Sequence, residues 1–166
     1  MKNPHPILNQ EEIKHKIRRI AYQIYESSME ENEIIIAGIA RNGFILAQKL
    51  DKELKDISPL KTTLCEVKID KKNPLGEIKT SLAPETYENK AIILVDDVLN
   101  SGTTLIYGVR HFLKVPLKHF KTAVLVDRNH KKYPVKADFK GISLSTSLSE
   151  TVKVIFEENN ERVELY

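Results

Sequence analysis

The chain has 166 residues with a formal net charge of +3, and 41% of them are hydrophobic. That is enough for one domain with its own core, and too mild a charge to indicate nucleic-acid binding by itself. A lone cysteine, Cys65, excludes an internal disulfide scaffold and suits a reducing cytoplasm. No apolar run approaches the length of a membrane span, and the opening MKNPHPILNQ lacks a signal-peptide core, so no membrane association is expected.

No repeat, low-complexity tract or Gly/Ser linker divides the sequence, which predicts a single domain over residues 1–166. Asn9 followed by Glu12 has the spacing of a capping box. Ile13, Ile17, Ile20, Ala21 and Ile24 then recur at helical spacing and predict a helix over about residues 10–28. EIIIAGIA (Glu33–Ala40) is short, apolar and β-branched, as expected of a strand buried on both faces. Gly43–Leu54 reads as a helix with Phe44, Ala47, Leu50 and Leu54 on one face. Thr62–Ile69 reads as a strand.

The polar segment Asp70–Lys90 is long for a loop inside a compact domain, and its size points to a functional lid or a hairpin. Ala91–Val95 and Phe120–Val126 are two more doubly buried strands, with a helix predicted over Thr103–Leu113 between them. The remainder, Asp127–Tyr166, holds a polar loop and at least one strand near Val152–Phe156. Alternating strands and helices predict an α/β fold, an open and mainly parallel sheet flanked by helices. Such sheets bind ligands beyond the carboxyl ends of their strands. Gly38–Gly43 and Asp96–Thr104 fall there.

The second of these segments carries the chemistry. In ILVDDVLNSGTTL an apolar strand runs into Asp96 and Asp97, then into Asn100, Ser101, Gly102, Thr103 and Thr104 at a helix start. Free N–H groups, hydroxyls and the helix dipole suit a phosphate there. The two carboxylates would repel a phosphate, so they suit hydroxyls or a metal cation beside it. A ribose 5′-phosphate with free 2′ and 3′ hydroxyls satisfies both. The segment is not a P-loop, since no Lys follows the glycine, and no G-x-G-x-x-G supports a dinucleotide site. A phosphorylated-aspartate receiver would need acids at other strand ends, and GIARNG has none.

ILVDDVLNSGTTL closely resembles the 5-phosphoribosyl 1-diphosphate (PRPP) motif of the type I phosphoribosyltransferases. That resemblance implies their fold, with a small hood built from the chain ends and a flexible lid. It implies that Asp96 and Asp97 hold the ribose hydroxyls and that Asn100–Thr104 hold the 5′-phosphate. GIARNG sits where the family keeps its pyrophosphate loop, which implicates Ala40 and Arg41 in diphosphate binding; Arg has the planar fork for it. Asp96, Asp97 and Arg41 are thus the expected catalytic residues.

VLVDRNHKKYPVKADFKGISLSTS (Val124–Ser147) resembles the carboxyl-terminal part of the pyrimidine operon attenuator/uracil phosphoribosyltransferase family. Through it, and through the segment ADF, the resemblance implies base contacts from Val98, the Phe139 ring and the Lys140 backbone. Uracil is the expected acceptor and hypoxanthine or guanine the alternative. Mg²⁺ is the implied cofactor, bridging diphosphate and ribose hydroxyls, with Asp96 and Asp97 reaching it only through those hydroxyls or water. The lid departs from the family's Arg-Asp-Asp run, and Lys71, Lys72 and Lys79 supply charge without Arg's geometry. That departure admits a chain that senses PRPP without turnover.

A regulator that reads messenger RNA is a further expectation, on a basic face of Arg18, Arg19, His130, Lys131, Lys132 and Lys136. The resemblance also implies a homodimer or homotetramer. The five histidines show no metal-ligand spacing; His5, His15, His111 and His119 read as surface residues, and His130 lies near the expected base site.

Overall fold

A computed structural model describes residues 3–166. Strand β1 (His5–Leu8) precedes helix α1 (Gln10–Ser27), and the capping box forms as the spacing predicts. The Glu12 N–H donates to Asn9 Oδ1 at 2.9 Å, and the Asn9 N–H donates to Glu12 Oε2 at 2.8 Å. The periodic isoleucines of α1 are its buried face. Then follow β2 (Glu33–Ile39), α2 (Asn42–Ile57), β3 (Lys61–Lys68), β4 (Lys79–Thr80), α3 (Pro84–Tyr87), β5 (Ala91–Leu99), α4 (Thr103–Phe112) and β6 (His119–Arg128). The chain ends with β7 (Phe139–Leu144), β8 (Val152–Ile155) and β9 (Arg162–Leu165).

Six strands form the main sheet in the order β4-β3-β2-β5-β6-β7. All neighbouring pairs are parallel except β4 on β3. Leu46, Ala47, Leu50 and Leu54 of α2 and the isoleucines of α1 pack with Ile34, Ile36, Ile93 and Val95 on one face. Leu105 and Phe112 of α4 pack with Ile92, Leu94 and Val124 on the other. Both faces are covered, so β2, β5 and β6 read as continuous apolar runs rather than alternating ones. A second, antiparallel sheet, β1-β9-β8, joins the two ends of the chain as the expected hood.

Two features differ from the sequence reading and a third extends it. β5 runs on to Leu99, so Asp96 and Asp97 lie within the strand, because β6 is also longer and continues the pairing to Leu99↔Asp127. The expected lid is partly tied down: β4 pairs with β3, and Tyr87 of α3 is buried edge-on against Phe112 with ring centroids 5.0 Å apart. Only residues 69–78 span between β3 and β4. The segment after Asp127, where the sequence predicts at least one strand near Val152–Phe156, holds β8 there and two more, of which β7 closes the edge of the main sheet.

Candidate functional site

The sheet order sets the site. β2 and β5 are parallel neighbours, so the turn into α2 and the loop into α4 emerge side by side. Gly43 lets them meet, since a Cβ there would lie 2.8 Å from the Val95 carbonyl and 3.1 Å from Asp96 Oδ1. The β2–α2 turn holds a cis Ala40–Arg41 peptide bond, and the Ala40 N–H donates to the Val67 carbonyl at 2.8 Å. Arg41 is exposed and stands in an open groove with Lys68 and Lys79, next to the aspartates but outside their cavity.

Successive strand residues leave on opposite faces, and the partners of the two aspartates differ accordingly. Asp96 is 3% exposed and lines a cavity of about 130 Å³ with Lys71, Val98, Ser101, Thr103 and Thr104. It accepts the Asp97 N–H at 2.9 Å and lies 3.8 Å from Lys71 Nζ. Burial, then the neighbouring Asp97 charge, holds the Asp96 carboxyl pKa well above its usual range, and Lys71 pulls the other way. Asp97 instead accepts from Asn42 Nδ2 at 3.1 Å, and the same amide donates to the Val154 carbonyl at 2.9 Å. One side chain thereby ties α2, β5 and the hood together.

The loop after β5 is shaped for an anion. Gly102, with φ of 85°, caps α4, and a Cβ there would meet Val135 Cγ1 at 2.6 Å. Ser101 Oγ and Thr103 Oγ1 are 2.8 Å apart, both at the cavity wall. The first N–H groups of α4 have no acceptor within the helix and carry the positive end of its dipole. The Ser101 carbonyl accepts the N–H of Lys132 at 2.8 Å and of Tyr133 at 3.3 Å, so the segment after β6 straps the loop.

Asn100 lines the same cavity, with its amide oxygen already engaged. Its Oδ1 accepts from Arg128 Nη1 at 2.9 Å. Arg128, 8% exposed, also donates to Thr146 Oγ1 and to the carbonyls of Ser147 and Glu150. Its guanidinium therefore joins the phosphate-type loop to residues 146–150. The sequence motif LVDR contained Arg128 without revealing this, and nothing in the sequence linked Asn42 to Val154.

The expected base contacts need correction. Val98 lines the cavity, but Phe139 does not. Phe139 pairs with Ala123, one register row inside Asp96, and its ring is 8% exposed in the core cluster that holds the buried isoleucines of α1. The Lys140 carbonyl accepts from Arg19 at 3.1 Å, as does Gly141 at 2.6 Å, so the backbone there is engaged by α1. The Lys140 ammonium instead reaches Asp127, 3.7 Å away.

Three of the six residues of the expected basic face are ion-paired: Arg18 with Glu53 at 2.8 Å, Lys131 with Asp127 at 3.5 Å and Lys136 with Asp138 at 3.4 Å. His130 contacts the Thr146 carbonyl. His5 and His15 are exposed, whereas His119 is partly buried 3.5 Å from Glu31, and burial lowers the pKa of His111.

Asp96 and Asp97 offer the hard oxygen donors that suit Mg²⁺. Among the described residues no three or more such side chains gather around one point, so substrate oxygens and water would complete its coordination. Among the described residues no helix is long and apolar enough to cross a membrane.

The phosphoribosyl transferase domain family matches residues 6–158. A relative named bifunctional protein PyrR from Fusobacterium nucleatum is 33% identical over 96% of this chain and 94% of its own. Another of that name, from Bacillus subtilis, is 33% identical over 96% of this chain and 95% of its own. Among solved structures, a hypoxanthine-guanine phosphoribosyltransferase from Bacillus anthracis superposes with a TM-score of 0.71 at 21% identity, covering 87% of this chain and 85% of that one. A hypoxanthine phosphoribosyltransferase from Trypanosoma cruzi gives 0.76 at 18% identity, covering 89% of this chain and 75% of that one. With the aspartate pair, the loop that caps α4 and the Arg41 turn at the carboxyl ends of neighbouring strands, the chain belongs to the type I phosphoribosyltransferases.

Proposed function

We propose that the chain transfers the 5-phosphoribosyl group of PRPP to a ring nitrogen of uracil and releases diphosphate. The observation that carries this is the shared cavity of a buried aspartate and a helix-capped hydroxyl loop, which matches a ribose 5′-phosphate on both its halves. Ser101, Gly102, Thr103 and Thr104 take the 5′-phosphate. Asp96 and Asp97 take the ribose hydroxyls. The Ala40–Arg41 turn takes the diphosphate. Mg²⁺, when bound with PRPP, neutralises the leaving diphosphate. As the bond from C1 to diphosphate breaks, positive charge grows on the ribosyl ring, and the two carboxylates stabilise it. Residues 70–78 then exclude water that would otherwise capture that centre. The setting is cytoplasmic and the assembly a homodimer or homotetramer.

Uracil is favoured by the Val124–Ser147 resemblance and by relatives named PyrR over most of the chain. The word bifunctional in those names supports an RNA-binding role as a second reading, although half of the six-residue basic face is already ion-paired here. The test is diphosphate release from PRPP and Mg²⁺ with uracil, hypoxanthine, guanine, xanthine or adenine offered singly. Release that requires uracil and vanishes in Asp96→Asn/Asp97→Asn supports the proposal. Release with a purine instead refutes the acceptor. PRPP binding without release for any base refutes turnover and leaves the sensing role.

A further inference from the structure

A carboxylate can be anchored by a charged donor or by a neutral one, and the choice matters where its charge is needed for chemistry. Asp96 and Asp97 differ in this. Asp96 has Lys71 Nζ at 3.8 Å, whereas Asp97 has no cation within ion-pair distance among the described residues and accepts from the neutral amide of Asn42 at 3.1 Å. Asn42 is the first residue of α2. The Cα–Cβ bonds of a helix tilt toward its N-terminus, so a side chain at the first position reaches past the helix end toward the strand ends.

The hood supplies the second partner of that amide. Thr151 and Tyr166 exchange both backbone hydrogen bonds, at 3.0 and 2.9 Å. Antiparallel pairs alternate between bonded and non-bonded, so Val154 and Val163, three rows on, form a non-bonded pair. β8 is the edge strand of its sheet, and the Val154 carbonyl therefore points off that edge. Asn42 Nδ2 donates to it at 2.9 Å. Both partners of the amide are pure acceptors, which turns its NH2 group toward them and uses both N–H bonds. The hood end is held fast, because Val163 opposite Val154 is fully buried in the core.

We infer that Asn42 is a positioning residue for ribose recognition: tied to the hood, it holds Asp97 by Oδ2 so that Oδ1 is presented to a ribose hydroxyl. It does so without bringing in a cation that would oppose the positive charge growing on the ribosyl ring. Asp97 is half-buried where Asp96 is enclosed, which leaves it accessible to a substrate hydroxyl. The backbone passes the constraint to the neighbouring aspartate, since the Asp97 N–H donates to Asp96 Oδ1 at 2.9 Å. The inference rests on the transferase reading and adds to it the residue that orients one of its carboxylates.

The test is calorimetric binding of UMP, 2′-deoxy-UMP and 3′-deoxy-UMP, and of the three corresponding forms of IMP, to the wild-type chain, Asn42→Asp and Asn42→Ala, with thermal melting as the control for folding. Asn42→Asp keeps the shape but turns an acceptor toward two acceptors, and Asn42→Ala removes the donor alone. The wild type should prefer the ribose form over at least one deoxy form by about tenfold or more, as a hydrogen bond to a charged group provides. Each folded variant should narrow that preference to within about threefold, chiefly by weakening the ribose form. A residue that merely braces the hood would instead weaken ribose and deoxy forms alike, and that result, or a preference left intact, overturns the inference. Failure of the transferase reading has a different signature: the wild type then shows no ribose preference with either base, and the inference falls with it. If only the uracil reading fails, the IMP forms carry the same comparison and still decide the role of Asn42.

Discussion

Asp96→Asn should make the protein more stable while stopping its chemistry. Asp96 is 3% exposed and carries the charge of Asp97 beside it, and these two causes, in that order, raise its carboxyl pKa well above the ordinary value. The opposing ion pair is weak: Lys71 Nζ is 3.8 Å away and its side chain is 52% exposed, which limits it to under about 1 kcal/mol. Asn has nearly the same volume, so it fits against Gly43 as Asp does, and its amide oxygen still accepts the Asp97 N–H. A raised pKa in the folded state means that the native protein holds this proton more tightly than the unfolded chain. The stability from Asp96 is therefore fully present below the unfolded value of 3.8 and is lost as pH rises through the folded one.

Relief at a strained functional position is commonly worth about 0.5–2 kcal/mol. In a chain of this size each 1 kcal/mol moves Tm by roughly 2–4 °C. Differential scanning calorimetry in chelator-treated buffer should thus show Asp96→Asn melting about 1–8 °C higher than the wild type at about pH 8, with the gap shrinking toward about pH 5. A lower Tm for the variant at pH 8, or an equal gap at both pH values, would refute the electrostatic reasoning even if activity is lost.

Gly43→Ala places a Cβ 2.8 Å from the Val95 carbonyl and 3.0 Å from the Asp96 Cα, both backbone atoms that yield little. It should cost about 1–3 kcal/mol in urea denaturation and weaken PRPP binding, because the α2 turn is pushed off the aspartates; an unchanged PRPP affinity counts against that coupling. Arg128→Met removes the bonds to Asn100, Thr146, Ser147 and Glu150 and takes a part-buried charged donor from Asn100 Oδ1 and Thr146 Oγ1. The expected loss is about 2–4 kcal/mol, with KM for PRPP raised more than KM for the base. An equal rise in both would show that Arg128 does not act through the phosphate loop. Tyr87→Ala empties a buried site against Phe112 and should cost about 3–5 kcal/mol while sparing KM for PRPP. Loss of PRPP binding with little loss of stability would instead make Tyr87 part of the moving lid.

Much of this was readable in local sequence. The capping box of Asn9 and Glu12, the isoleucine stripe of α1 and the apolar strands β2, β5 and β6 depend on residues a few positions apart. The same holds for the PRPP motif, where strand, aspartates, glycine and helix start are contiguous, so one stretch of chain builds most of that site. The lid was read too broadly, because its polar composition hides that Tyr87 is a core residue. Phe139 was misplaced because an aromatic beside a polar loop looks the same in sequence whether its ring faces a ligand or, as here, the core under α1.

The sequence by itself determined the α/β class, the order of the main strands and helices and the carboxylates and hydroxyls of the ribose phosphate site, since period, capping and turn chemistry are short-range properties. Only the tertiary structure decided which faces those groups present and what holds them. Asn42 reaches Asp97 and Val154, Arg128 reaches Asn100 and residues 146–150, and Asp127 meets Lys131 and Lys140. Most of these contacts join residues distant in sequence. They exist because parallel strands bring separate loops to one edge of the sheet, and strand register, which no single segment encodes, sets which side chains meet there.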